Sequence, residues 1–148
     1  SFYVLNVNGI NYRLTPGINN IESFVLGTRD NPDYVVGIEI SRHSTFIHSN
    51  NAVYELDNSS MMVRRLYFNE ENQIRDISCF GDESVYVALL DGLIRLNARN
   101  GTYEEASEVL DNETALGICF DAQGVLWAIT DKNFLMCADI ATGKKRYY

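Results

Sequence analysis

The sequence repeats at intervals of about forty residues, and this spacing limits the possible folds more than any other feature. The segments Thr45–His48, Val85–Ala88 and Val125–Ala128 stand forty positions apart, and similar apolar runs and turns recur around them. A repeat of this length made of several short strands is typical of a β-propeller, in which each repeat is one four-stranded blade. The sequence therefore predicts an all-β propeller fragment of about three and a half four-stranded antiparallel blades.

Clusters of Gly, Asn and Asp divide the chain into successive blades. In the last repeat, Asp121–Gly124, Asp131–Asn133 and Ala141–Gly143 separate four strand-like segments, as reversals between antiparallel strands require. Because a propeller needs about four to eight blades to close its ring, we expect residues 1–148 to be part of one propeller domain of a longer protein. The predicted blades cover about residues 1–27, a partial blade without an inner strand, 28–68, 74–110 and 114–148.

Several strands are apolar on both faces, and Val125–Ile129 is the clearest of them. A sheet with one solvated face would alternate apolar and polar residues, so these strands are expected to lie between two other blades, with Trp127 in the core. Between the last two repeats the apparent offset is forty residues up to the second hairpin and forty-two after it. This change predicts a two-residue insertion at Lys132–Asn133.

Charge and cysteine content exclude several classes of protein. The net charge is −8, from 20 acidic and 12 basic residues, which argues against binding to nucleic acid or to anionic membrane surfaces. Three cysteines fit poorly with a disulfide framework. Cys79 and Cys119 occupy equivalent positions at the forty-residue spacing, and we predict all three cysteines to be small buried apolar residues.

The last repeats resemble a known family. The run Ile118–Thr130 combines an apolar strand, an Asp-containing turn with Gly, and a Leu-Trp strand ending in Thr, and it resembles the repeat of the two-component regulator propellers. Asp139–Gly143 is similar to that family's turn of an aspartate, two residues and Thr-Gly. Asp91–Leu93 is similar to the Gly-Leu pair that opens the family's third strand.

That resemblance implies a sensor region of a hybrid histidine kinase of Bacteroidetes type. Such propellers lie outside the inner membrane, so a periplasmic location is expected, with membrane attachment only through the longer protein. Their ligands are often polysaccharide fragments, which implies an oligosaccharide partner. The region would carry no catalytic activity and no cofactor. A ligand would act by binding one arrangement of the sensor more tightly and so shifting the population of kinase-active dimers.

Two other functions fit a propeller. One is a scaffold that binds proteins through its rim, and the other is a metal-dependent hydrolase or lyase with its metal in the central channel. Such an enzyme would need acidic or histidine side chains from several inner strands to converge on the ring axis, and the inner strands offer Glu39 and Asp76. His43 and His48 lack the spacing of a zinc site, so no metal site is predicted and His48 is expected to be structural.

The loops between the second and third strands are the candidate ligand sites, because they recur on one rim of the ring and loops on a rigid scaffold often carry function. Turn formation explains the same residue types, so that alternative stays open. A half-propeller also leaves an apolar blade face open at each end, which predicts self-association through those faces. The candidate ligand-binding residues are Asn50, Asn51, Asp91, Asp131 and Lys132.

Overall fold

The structure, a computed structural model, describes residues 1–148 apart from the side chains of Phe2 and Val4. Short strands joined by tight turns run through the whole chain, with a 3-10 turn at Ser107–Leu110. The strands are β1 (Phe2–Val7), β2 (Ile10–Thr15), β3 (Asn20–Phe24), β4 (Leu26–Gly27), β5 (Pro32–Asp33), β6 (Gly37–Ile40), β7 (Ser44–His48), β8 (Ala52–Asp57), β9 (Val63–Phe68), β10 (Ile74–Phe80), β11 (Ser84–Leu89), β12 (Gly92–Asn97), β13 (Tyr103–Glu105), β14 (Ala115–Phe120), β15 (Val125–Thr130), β16 (Leu135–Asp139) and β17 (Lys145–Tyr147).

These strands form antiparallel sheets in chain order. Sheet A contains β1–β3, sheet B contains β6–β9, sheet C contains β10–β13 and sheet D contains β14–β17, while β4 and β5 form a short ribbon between sheets A and B. The first strand of sheet C contacts the first strands of sheets B and D. The sheets therefore stack side by side as the blades of a propeller, with β6, β10 and β14 innermost, and the predicted fold class is confirmed.

Apolar side chains fill the space between neighbouring sheets. Phe46 of sheet B packs in one buried cluster with Val87 of sheet C, and Tyr86 of sheet C packs in another with Leu126 of sheet D. A third buried cluster joins the β4–β5 ribbon to sheet B and includes Leu26. Alternate residues of one strand thus enter clusters on opposite faces, which explains why the strands are apolar on both sides.

The register of sheet D differs from the prediction by one residue. Equal spacing of forty aligned Trp127 with Val87, but Trp127 lies opposite Cys119 in β14 as Tyr86 lies opposite Ser78 in β10. The offset between these strands is therefore forty-one residues. Because successive side chains of a strand point to opposite faces, this single residue turns Trp127 away from sheet C. Trp127 is half-buried, and its ring stacks on that of Tyr148 with centroids 6.0 Å apart.

The predicted insertion at Lys132–Asn133 is also corrected. In the third strand the offset is forty-two, because Leu135 lies opposite Ile129 as Leu93 lies opposite Ala88. One additional residue thus precedes β14, and only one lies in the loop between β15 and β16. Loops absorb such changes at low energetic cost.

The cysteine prediction fails for the same reason. With an offset of forty-one, Cys119 corresponds to Ser78 rather than to Cys79. All three thiols are free, but Cys119 is exposed, Cys79 is partly buried and only Cys137 is buried. Burial raises the pKa of the Cys79 thiol to about 11.

Candidate functional site

The loops between second and third strands share one rim with the starts of the inner strands. The Ile74 amide donates to the Asn50 carbonyl oxygen at 2.7 Å, which joins sheet C to the loop of sheet B. Within sheet D, the Asp131 amide donates to the Thr114 carbonyl oxygen at 2.9 Å. The five predicted ligand residues therefore lie in loops on this rim. Each of sheets B, C and D contributes a separate loop.

The charged side chains of Asp131 and Lys132 bond to other residues of the protein. Arg75 Nη1 of sheet C donates to Asp131 Oδ1 at 2.6 Å, and the Thr114 hydroxyl donates to the second oxygen of the same carboxylate. These hydrogen bonds, that from Thr114 first, lower the pKa of Asp131. Lys132 Nζ lies 2.8 Å from Glu113 Oε1. Two ion pairs and the hydrogen bond from Thr114 thus already engage these charges, and the Arg75–Asp131 pair joins sheets C and D.

Asp91 has a similar local contact, because the Asn72 side-chain amide donates to its carboxylate. Both residues are in sheet C, where the loop after β11 meets the segment before β10. A role for Asp91, Asp131 or Lys132 in binding a ligand stays a prediction. Their observed contacts are those of turns and blade joints.

Asn50 and Asn51 lie elsewhere, at a cleft between the β4–β5 ribbon and sheet B. This rim cleft has a volume of about 410 Å³. It is open to solvent at the rim. The residues around it are Gly27, Asn31, Pro32, Asp33, Ser49, Asn50, Asn51, Tyr54, Arg65 and Phe68.

One wall of the rim cleft combines an aromatic ring with a guanidinium group. Arg65 Cζ lies 4.9 Å from the centroid of the Phe68 ring, within the range of a cation–π contact. Phe68 is 52% exposed although it is a large apolar residue at the end of β9. The ring therefore offers an accessible apolar surface beside a cationic hydrogen-bond donor.

The floor and the opposite wall are polar. The Tyr54 hydroxyl donates to Asp33 Oδ2 at 2.8 Å, which ties β8 to the ribbon. Burial raises the pKa of Tyr54, and the hydrogen bond to Asp33 raises it further, so the phenol stays protonated. Tyr54 lies opposite Arg65 across the β8–β9 pair. Carboxylate, phenol and guanidinium groups are thus within one small volume.

Local backbone features place these groups. Gly27 has a φ of 75°, a conformation that favours glycine, and a Cβ atom there would lie 2.9 Å from the Asn31 carbonyl oxygen. The Ser49 hydroxyl accepts the Ala52 amide at 3.1 Å, and Asn51 Nδ2 donates to the Asn69 carbonyl oxygen at 3.0 Å. A tight ribbon and a hydrogen-bonded loop therefore form the two sides of the cleft.

Sequence reasoning missed most of this cleft. It did not predict the β4–β5 ribbon, whose strands have two residues each. The available signal was the apolar Phe68 at the end of a strand that also carries Arg65. Asn50 and Asn51 were placed correctly in a rim loop.

The inner strands were the other candidate region, and their polar groups meet at the blade joints. Asp76 Oδ2 accepts the Ile118 amide at 2.8 Å, and the Ser78 hydroxyl oxygen accepts the Phe120 amide at 3.0 Å. Burial raises the pKa of Glu39, partly offset by a hydrogen bond with Ser78 and reinforced by the Asp76 charge. Asp76 and Ser78 thus bond sheets C and D together, whereas Glu39 belongs to sheet B.

His48 lies in the core beside these strands. It is 2% exposed, and its Nδ1 lies 2.8 Å from the Ser49 carbonyl oxygen, the geometry of a donated hydrogen bond. Burial lowers its pKa, which keeps the ring neutral. Among the side chains that the structure describes, no group of three His, Cys, Asp or Glu residues is placed to hold a metal ion. The described part of the chain also contains no helix long and apolar enough to cross a membrane.

No protein-family model and no curated protein matches the sequence. Solved structures do match: virginiamycin B lyase from Staphylococcus aureus has 15% identity and a TM-score of 0.68, with 97% of this chain and 49% of the lyase covered. YCF48 bound to D1 peptide has 14% identity and a TM-score of 0.67, with 99% and 50% covered.

A third similar structure is the extracellular domain of a hybrid two-component system from B. thetaiotaomicron. The identity is 17% and the TM-score 0.64, with 87% of this chain and 19% of that domain covered. The chain thus spans about half of the first two proteins and about a fifth of the third. At these identities the similarity establishes the propeller fold, which a lyase, a peptide-bound protein and the extracellular domain of a two-component system share.

Proposed function

We propose that this chain is a non-enzymatic, extracytoplasmic ligand-sensing segment of a two-component signalling protein, and that it binds a carbohydrate in the rim cleft. The observation that carries the proposal is the accessible Phe68 ring beside Arg65, within a cleft that also contains amide groups and a carboxylate. The similar sensor domain from B. thetaiotaomicron and the resemblance of Ile118–Thr130 to two-component regulator propellers support the signalling assignment.

The chemistry of the rim cleft suits a neutral sugar. Sugar hydroxyl groups both donate and accept hydrogen bonds, and the cleft supplies a carboxylate acceptor at Asp33, a guanidinium donor at Arg65 and side-chain amides that do both. Asp33 and Arg65 carry opposite charges, so a neutral ligand leaves no unpaired charge in the cleft. A sugar face made of C–H groups can lie on the Phe68 ring.

Signalling would follow from linkage rather than from chemistry. The cleft has two walls, the β4–β5 ribbon and sheet B, and a ligand that contacts both favours arrangements in which they are close. The ligand shifts the population of signalling states only by the ratio of its affinities for those states. A periplasmic location would place the cleft where polysaccharide fragments arrive.

Isothermal titration calorimetry of the 148-residue protein against a panel of neutral oligosaccharides tests the proposal. We expect at least one to bind, and we expect Phe68→Ala and Arg65→Ala each to weaken it about tenfold or more. Arg95→Ala is the matched control, because Arg95 is an exposed arginine of sheet C that pairs with Glu104, away from the cleft. Absence of binding across the panel, or equal losses in the control, would contradict the proposal.

The earlier candidates Asp91, Asp131 and Lys132 belong in the same experiment. If the ligand lies in the rim cleft, Asp91→Ala and Lys132→Ala leave its affinity within about twofold of the wild type. A loss confined to these variants would move the site to the loops of sheets C and D. Asn51→Ala reports on the cleft itself, since Asn51 lines it.

A second candidate function is a scaffold that binds a peptide, because the similar YCF48 structure contains one. The two functions separate in the same titration: a peptide ligand would bind while the oligosaccharides do not. A metal-dependent hydrolase or lyase has less support. The similar lyase shares only the fold, and Asp76 and Ser78 of the inner strands already accept backbone hydrogen bonds from sheet D.

A further inference from the structure

The outer strand of sheet B, β9, contains a β-bulge beside the rim cleft. Arg65 and Tyr67 lie opposite consecutive residues of β8, so Leu66 is an additional residue in β9. Leu66 and Tyr67 both enter the buried cluster between sheets B and C. Phe68 therefore returns to the face that carries Arg65, whereas residues three positions apart in a regular strand point to opposite faces.

The bulge is particular to the sheet that forms the cleft. The corresponding outer pairs of the other sheets, β2–β3, β12–β13 and β16–β17, keep a regular register. Bulges often lie next to functional sites, where they re-aim a side chain. Here the bulge brings the exposed Phe68 ring to the Arg65 guanidinium, with Cζ 4.9 Å from the ring centroid. The fold of β9 therefore builds this pair into the cleft.

The hydrogen-bond donors of Arg65 are not used by the protein. Its neighbour Arg64 pairs with Glu55 at 2.6 Å. Other arginines also pair with carboxylates, namely Arg13, Arg75, Arg95 and Arg99. Among the described residues, Arg65 forms neither an ion pair nor a hydrogen bond, and its guanidinium lies on the Phe68 ring. Because a guanidinium group has five N–H donors and no acceptor, the cleft contains an unused group that can only donate.

The carboxylate of the cleft, Asp33, is held by other donors. The Tyr34 amide donates to Asp33 Oδ1 at 3.0 Å, and the Tyr54 hydroxyl donates to Asp33 Oδ2 at 2.8 Å. Each carboxylate oxygen can accept one more hydrogen bond. A ligand in the cleft thus meets one group that only donates, Arg65, and one group that only accepts, Asp33.

An acetamido group matches these two groups and the aromatic ring together. A sugar hydroxyl can accept from Arg65, but its own proton then needs a further acceptor, whereas a carbonyl oxygen accepts without that requirement. In neutral sugars a carbonyl oxygen is found in the N-acetyl group. The same group carries an N–H that can donate to Asp33 and a methyl group that can lie against the Phe68 ring.

A carboxylate ligand would also accept from Arg65, but the cleft disfavours an anion. Asp33 lines the same cleft, and the whole chain has a net charge of −8. Like charges repel, and a sugar carboxylate offers no N–H to Asp33. The neutral carbonyl group is therefore the better partner for Arg65.

We propose that the rim cleft recognises the N-acetyl group of a neutral oligosaccharide and that Arg65 determines this specificity. The inference rests on the proposed carbohydrate function and narrows it to N-acetylated amino sugars. Arg65 donates to the acetamido oxygen, Asp33 accepts from the acetamido N–H, and Phe68 contacts the methyl group. A sugar without the acetyl group leaves Arg65 without its acceptor, so the site discriminates through a missing partner as well as through lost contacts.

Calorimetric titration of the 148-residue protein with matched pairs of sugars tests the proposal. The pairs are cellobiose with N,N′-diacetylchitobiose and lactose with N-acetyllactosamine, whose members differ in having acetamido groups in place of hydroxyl groups. In at least one pair we expect the N-acetylated sugar to bind about tenfold or more tightly than its partner. Arg65→Ala and Arg65→Lys should remove most of this difference, because neither side chain offers a planar fork of donors. Arg95→Ala, the matched control in sheet C, should keep it.

The outcomes separate this inference from the proposed function. If the sugars bind but the two members of every pair differ by less than about twofold, the N-acetyl specificity is wrong and the carbohydrate site stands. If no sugar binds, both are wrong. Tighter binding of cellobiouronic acid than of the N-acetylated sugars would overturn the inference in favour of a carboxylate ligand. Binding of an N-acetylated peptide in place of all the sugars would overturn it in favour of a peptide scaffold.

Discussion

The interface between sheets B and C and the interface between sheets C and D have similar apolar cores but different hydrogen bonds. Between B and C, Asp82 accepts the His43 amide and side chain at 2.9 and 2.8 Å, at the rim opposite the cleft. Between C and D, Asp76 and Ser78 accept backbone amides along the inner strands. The apolar pattern thus repeats from blade to blade, whereas polar joints are particular to each pair.

A glycine position shows how each joint constrains its sequence. Gly37, Asp76 and Gly117 occupy corresponding positions of β6, β10 and β14. In sheet B, a Cβ on Gly37 would lie 2.4 Å from His48 Nε2, so the buried histidine fills the space of a side chain. In sheet C, the aspartate itself fills that space and bonds to sheet D.

The largest expected effect comes from the shared apolar cores. Phe46→Ala between sheets B and C should lower the free energy of unfolding by about 3–5 kcal/mol, and Leu126→Ala between C and D by about 2–5 kcal/mol, because both side chains are fully buried. Guanidinium denaturation measures both. A loss below about 1 kcal/mol in either variant would contradict the packing of that interface.

The corresponding glycines of sheets B and D, Gly37 and Gly117, should respond differently to substitution. Gly37→Ala forces a methyl group against the His48 ring and should cost about 1–3 kcal/mol. Gly117→Ala is the matched control, because its nearest contact, Asp76 Oδ2, lies at 3.5 Å, and it should change stability by no more than about 0.5 kcal/mol. Equal effects in thermal denaturation would refute the different roles of these positions.

A polar joint should matter less than the core around it. Ser78→Ala removes the acceptor of the Phe120 amide and should cost about 1–3 kcal/mol, because a buried donor is left without a partner. Hydrogen exchange should become faster at the Phe120 amide while the Ile118 amide, bonded to Asp76, keeps its protection. Unchanged exchange at Phe120 would show that Ser78 does not bond the two sheets.

The smallest expected effect is a dependence on acid at the joint between sheets B and C. Burial acts to raise the pKa of Asp82, but hydrogen bonds from His43, Ser41 and Ser44 outweigh it and lower this pKa to about 2. A lowered folded-state pKa gives stability that is complete above the ordinary value of 3.8 and is lost as the pH falls from there toward 2.

The variant Asp82→Asn tests that dependence directly. Between pH 5 and pH 3, the denaturation midpoint should fall further for the wild type than for Asp82→Asn, because the variant has no carboxylate to protonate at this position. Asp57→Asn serves as a comparison. Hydrogen bonds from Ser60 and Ser59 also lower the pKa of Asp57, but they lie within one turn rather than between two sheets. Equal losses of stability in the wild type and in Asp82→Asn would show that Asp82 does not cause the acid dependence.

The fold was predictable because the forty-residue period and two-sided apolar strands such as Val125–Ile129 belong to the sequence itself. The sheet face on which Trp127 lies was not predictable, because offsets of forty and forty-one residues preserve the same apolar pattern. Only the strand pairing distinguishes the two offsets. The rim cleft was predictable only at Asn50 and Asn51. Its other wall depends on the β4–β5 ribbon, whose two-residue strands leave no periodic signal.

The central claim is that successive sheets stack face to face with sheet D offset by forty-one residues, and nuclear Overhauser effects between aromatic rings test it most directly. The Tyr86 and Phe120 rings have centroids 5.1 Å apart and edge-to-face geometry, so we predict strong cross-peaks between them. Cross-peaks from Tyr86 to Trp127 within one chain, with none to Phe120, would contradict the claim.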